Sequence, residues 1–136
     1  MSHGGPSIAI VGAGFGGIAT AVKLKRAGFH RFTVFEQSDG PGGTWWDNRY
    51  PGCAVDIPSH AYSFSFIPYD WRSTHATQPE LLQYARDVID HFDIASHFRF
   101  DTRVDEVRWD EGRGGYLVRT EHGEERFDVV VSCLGP

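Results

Sequence analysis

The feature that most constrains this 136-residue chain is the passage from Ile8-Ala9-Ile10-Val11 into Gly12-Ala13-Gly14-Phe15-Gly16-Gly17. Four consecutive apolar residues ended by glycine form the pattern of a strand buried on both faces of a parallel sheet. From Gly16 to Ala27, Ile18, Ala21, Val22 and Leu24 are interleaved with Lys23, Lys25 and Arg26. This predicts a helix whose cationic last turn suits its dipole, with Gly28 as the stop. Phe32 to Phe35 make a second apolar strand. The order is β-α-β, an α/β unit whose crossover is expected to be right-handed.

Glycines at 12, 14 and 17 fit the GxGxxG spacing between that strand and that helix. Gly12 allows the tight turn, Gly14 lets backbone approach a pyrophosphate, and Gly17 lets helix and strand pack closely. A diphosphate then rests on the amide groups of the helix N-terminus, where the dipole favours negative charge. Glu36 follows about 20 residues on, at the carboxyl end of the second strand, where a carboxylate accepts hydrogen bonds from both hydroxyls of an adenosine ribose. The same acid disfavours a 2′-phosphate at this site, which leaves FAD and NAD as dinucleotides.

The chain is the size of one domain, and 40% hydrophobic residues suffice for a core. A net charge of −5 without a Lys/Arg cluster excludes a nucleic-acid partner on electrostatic grounds. Cys53 and Cys133 stand far apart and outside any CxxC pattern, so neither a zinc site nor a disulfide framework is expected. The seven histidines show no HExxH spacing, and no metal is expected. No GxSxG elbow accompanies Ser59-His60. Met1 to Ser7 has no charged segment followed by a long apolar one, so a cytoplasmic protein without membrane contact is expected.

Asp39 to Gly43 is rich in turn formers, and Thr44 to Trp71 has many aromatics, prolines and histidines without a sustained period, which predicts an ordered loop. Thr77 and Glu80 have the spacing of a capping box around Pro79. Leu81, Leu82, Ala85, Val88, Ile89 and Phe92 then line one face of an amphipathic helix, opposite Gln83, Arg86, Asp87 and Asp90. Phe98 to Trp109 and Tyr116 to Thr120 alternate around the turn Glu111 to Gly115, which predicts an antiparallel hairpin. A further strand is expected from about Glu125, and Val129 to Val131 read as another buried strand.

The loop after the second strand separates the two dinucleotides. Gly42-Gly43-Thr44-Trp45, followed by Asn48-Arg49-Tyr50-Pro51-Gly52 and Asp56, resembles the Baeyer-Villiger monooxygenases and the related flavin-containing monooxygenases. The resemblance continues through Ser59, Tyr62, Ser63 and Phe64 and on to the valine-rich strand before Gly135, so it covers most of the chain. It implies a Rossmann-like FAD-binding fold of the type with two dinucleotide-binding domains. It also implies FAD contacts from Gly12, Gly14, Phe15, Gly17, Glu36, Tyr62 and Gly135, with Gly43, Thr44 and Trp45 along the pyrophosphate and flavin. Val104 would touch adenine through its backbone, and Asp56, the candidate catalytic residue, would sit near the reacting end of the isoalloxazine. Of Trp45 and Trp46, one is expected to serve packing instead. Cys53, Ala54 and Val55 stand where many relatives have an arginine, a departure within the active-site loop.

In that family NADPH reduces the flavin and one atom of O2 enters a ketone or soft nucleophile, the substrate being a small organic molecule. The NADPH site lies in a second domain with its own glycine fingerprint, and this sequence has one fingerprint. Residues 1–136 are therefore expected to be the N-terminal segment of an FAD-binding domain, with the NADP-binding domain absent and supplied by further chain or a partner chain. A stand-alone FAD- or nucleotide-binding module is the alternative from another class. An NAD-linked dehydrogenase is disfavoured because its Rossmann domain has no use for the Gly-Gly-Thr-Trp loop.

Overall fold

The computed structural model describes residues 5–47, 54 and 76–134, and of Thr44 and Trp45 the backbone alone. Strand β1 (Ile8–Val11) leads into helix α1 (Phe15–Arg26) and strand β2 (Phe32–Phe35), and β1 and β2 pair in parallel, as the apolar runs predict. The short helix α2 (Thr44–Asp47) follows, then α3 (Gln78–His91) and a 3-10 turn at Ala95–His97. Strands β3 (Phe98–Arg99), β4 (Val104–Asp110), β5 (Gly115–Thr120), β6 (Gly123–Phe127) and β7 (Val129–Ser132) complete the order.

Two sheets result. The parallel sheet has the order β3-β2-β1-β7, and the antiparallel sheet the order β4-β5-β6. Alternation along β1 and β2 divides their side chains between two layers. Ile8, Ile10, Phe32 and Val34 face α1 and α3, where Ile18, Ala21, Val22, Tyr84, Ala85 and Val88 close the main core. Ala9 and Phe35 point the other way and meet Val118 and Phe127 of the antiparallel sheet. The architecture is helices, parallel sheet, antiparallel sheet, an α/β fold.

Several sequence expectations are corrected. The alternating run Phe98 to Trp109 is two strands: Phe98–Arg99 joins β2 in the parallel sheet, and only Val104–Asp110 enters the hairpin. Asp101, with φ of 51°, sits in the break between them. The loop expected from Thr44 opens as the helical turn α2, because the Gly43 carbonyl accepts from the amides of Trp46 and Asp47. Thr77 is the N-cap of α3, but its side chain makes no capping bond, so the capping box does not form. Tyr84 and Gln78 are buried on α3 beside the predicted apolar positions. Strand β7 is half-exposed, with Val129 at 41% exposure, because it lies at the edge of the sheet and no helix covers it among the described residues.

Candidate functional site

The site is made by strand ends. In β1, β2 and β7 the parallel registers put Val11 beside Phe35 and beside Ser132, so the residues that follow each, Gly12, Glu36 and Cys133, emerge together. The Gly12 amide donates to the Phe35 carbonyl and the Cys133 amide to the Val11 carbonyl, both at 2.8 Å. The chain leaves β1 toward β2 on one side while β7 lies on the other, which makes this the switch point where open α/β sheets bind ligands. Gly12 adopts φ of +108°, and a Cβ there would lie 2.6 Å from the Cys133 carbonyl oxygen. A Cβ on Gly17 would run into the Gly12 carbonyl, so this glycine brings α1 down onto the turn. Helix α1 is capped by Gly14 without a side-chain bond and has no acid in its first turn, so its positive end is presented to the cleft.

Glu36 is 8% exposed. Its Oε1 accepts the Ala13 amide and its Oε2 the Ser38 amide, each at 2.8 Å. A carboxylate has about four acceptor directions. These two bonds therefore fix its orientation beside the glycine turn and leave lone pairs for hydroxyl donors. The Thr102 amide donates to the Glu36 carbonyl at 2.8 Å, which brings the chain before β4 to the same place.

A second glycine turn forms the opposite wall. The Gly42 amide donates to the Ala13 carbonyl at 2.9 Å, and a Cβ on Gly43 would lie 2.9 Å from the Cα of Gly14. Two separate glycine turns thus touch backbone to backbone, and side chains at either position would fill the space between them. The cleft so enclosed measures about 630 Å³.

Gly12, Gly14, Phe15, Glu36, Gly43 and Val104 all line this cleft. Gly17 lies beneath it, against Gly12 and Ile10. The backbone of Thr44 and Trp45 begins α2 directly beyond Gly43. Asp56, Tyr62 and Gly135 lie outside the described residues. Thr20, Thr102, Arg103 and Cys133 line the cleft without having been predicted. Arg103 and Thr102 follow from their adjacency to Val104. Cys133 becomes visible only once β7 is known to pair in parallel with β1. Its sulfur is 3.6 Å from the Thr20 hydroxyl.

The chain belongs to the family of NAD(P)-binding Rossmann-like domains, which it matches over residues 10–86. Its homologues are Baeyer-Villiger monooxygenases, and it corresponds to their N-terminal FAD-binding part. It is 45% identical over 130 residues to a Baeyer-Villiger monooxygenase of Streptomyces coelicolor, an alignment covering 95% of this chain and 25% of that protein. It is 40% identical over 137 residues to an FAD-binding monooxygenase of Botryotinia fuckeliana, covering 93% and 26%. The fold superposes on the open crystal structure of cyclohexanone monooxygenase with a TM-score of 0.90 and 40% identity, covering 96% of this chain and 27% of that one. The chain thus spans about a quarter of the length of the relatives it matches. No helix among the described residues is long and apolar enough to cross a membrane.

Proposed function

We propose that residues 1–136 are the N-terminal segment of an FAD-binding domain, and that the protein is a flavin-dependent monooxygenase using NADPH and O2 to oxygenate a ketone or soft nucleophile in the cytoplasm. The observation that carries FAD is the contact of Gly43 with Gly14, since a nicotinamide dinucleotide alone needs only the first glycine turn. The name NAD(P)-binding attached to the matched family fits the same geometry, because FAD and NAD share the ADP half that this turn grips.

The residues present suit that group. Gly12 and Gly14 admit the pyrophosphate to the N-terminus of α1, Glu36 accepts from the ribose hydroxyls, and Val104 offers backbone at the adenine end. Gly43, Thr44 and Trp45 continue toward the flavin, with Asp56, Tyr62 and Gly135 carried over from the family resemblance as further contacts. Bound FAD would supply the redox and oxygen chemistry, with electrons from NADPH held by another domain. This segment would bind and orient the cofactor.

The test is reconstitution of the purified protein with FAD followed by gel filtration. A flavin band eluting with the protein is expected, together with no NADPH-dependent oxygen uptake by this segment alone. A chain folded by circular dichroism that retains no flavin at high FAD concentration would overturn the assignment.

A further inference from the structure

Helix α3 meets the wall of the cleft at two places, Arg86 against Trp46 of α2 and Leu82 against Gly42. The indole of Trp46 lies on Gly40 so closely that a Cβ there would fall inside the ring's van der Waals surface. Its Nε1–H donates to the Asp39 carboxylate at 2.8 Å, and the guanidinium of Arg86 on α3 stands 5.7 Å from the ring centroid. The Trp46 amide donates to the Gly43 carbonyl at 3.0 Å. Leu82, one turn before Arg86, closes on Gly42, where an added Cβ would come within 3.2 Å of its Cδ1. The turn Gly40–Gly43 is therefore clasped between α3 and the glycine turn of β1.

We propose that Trp46 is a positioning residue, which holds the Gly40–Gly43 turn against Gly14 and thereby sets the cofactor-binding shape of the cleft wall facing α1. Pro41 fixes only its own φ, and glycines at 40, 42 and 43 leave the rest of that turn without side chains to fix it. A flat ring with a hydrogen-bonding edge supplies the missing rigidity, anchored at Asp39 on one side and stacked beneath Arg86 on the other. The effect on cofactor is indirect: Trp46 acts through Gly43 and Gly14. This inference rests on the FAD assignment above.

The experiment compares the wild-type protein with Trp46→Ala, Trp46→Phe and Gly40→Ala. Gly40→Ala displaces the ring without removing it, and the position lies outside the positive-φ region, so its backbone accepts alanine. FAD affinity is read by flavin fluorescence, adenosine monophosphate by competition, and stability of the apoprotein by thermal melting. Trp46→Ala and Gly40→Ala are each expected to weaken FAD about tenfold while adenosine monophosphate affinity stays within about twofold and the melting midpoint within a few degrees. Trp46→Phe, which keeps a ring on Gly40 but loses the bond to Asp39, should rescue most of the affinity. Unchanged FAD affinity in Gly40→Ala and Trp46→Ala overturns the positioning role while leaving the FAD assignment intact. A parallel loss of FAD, adenosine monophosphate and melting temperature also overturns it, as a general loss of structure. Absence of FAD binding by folded wild type overturns both.

Discussion

At the scale of single residues, the cleft depends on hydrogens standing where side chains would be. Gly17 is the sharpest case, since a methyl group there meets the Gly12 carbonyl, a backbone atom that has no rotamer to yield. Gly17→Ala is expected to destabilise by about 1–3 kcal/mol, the range for overpacking a tight contact. Urea unfolding checks this, with a lowered midpoint and an unchanged slope as the expected result. Gly28 is different, because a Cβ there meets nothing within 4 Å, so only its backbone conformation recommends glycine. Glu36 was legible from its spacing alone, but its bonds to the Ala13 and Ser38 amides were not. They depend on how the two strand ends are brought side by side, which no local pattern encodes.

At the scale of elements, helices α1 and α3 end alike. After α1 the Phe29 amide reaches the Leu24 carbonyl and the Gly28 amide the Lys25 carbonyl, and after α3 Ile94 and Asp93 reach Ile89 and Asp90. Both are Schellman endings with an apolar residue folding back. In α1 the left-handed position is Gly28, whereas in α3 it is Asp93 with φ of 53°. An aspartate there pays a steric cost and places negative charge at the negative end of the helix dipole. Its ion pair with Lys25, at 3.9 Å with the Asp93 side chain 99% exposed, offsets little. The Lys25 ammonium also holds the Phe92 and Asp93 carbonyls at 2.8 Å, bonds that survive loss of the Asp93 side chain. Asp93→Gly is therefore expected to raise stability by about 0.5–1 kcal/mol, measured by thermal or urea unfolding. The sequence marked the end of α1 by its glycine and the face of α3 by its period. Tyr84 escaped that period because a phenol reads as amphipathic until Phe15 is found against it, with ring centroids 5.8 Å apart.

At the scale of the whole molecule, Ser7 and Asp128 join the two ends of the described chain. The Ser7 amide donates to Asp128 Oδ2 at 2.8 Å, Arg126 reaches Oδ1 at 2.8 Å, and the Asp128 amide returns to the Ser7 carbonyl at 2.9 Å. The Ser7 amide first, and then Arg126, hold the Asp128 carboxyl below its usual value of 3.8. A carboxylate whose pKa is lower folded than unfolded contributes stability that is whole above the unfolded value and is lost as pH falls through the folded one. Asp128→Asn is therefore expected to be less stable than wild type near neutrality. The gap should narrow as pH drops through and below 3.8, seen as converging melting midpoints in a pH series.

By itself the sequence determined what short-range chemistry decides. The apolar runs make strands, the glycine spacing makes the tight turn into α1, Glu36 ends β2, and the period of α3 selects its buried face. Only the tertiary structure decided which strands meet. Phe98–Arg99 was drawn to β2 rather than to the hairpin, β7 took the edge beside β1, and Gly43 came to rest on Gly14. Those pairings are made between segments far apart in the chain, where hydrogen-bonding groups are the same at every residue and side-chain packing on both faces of the parallel sheet, Phe98 and Val131 on the helical side and Val130 on the other, distinguishes the partners.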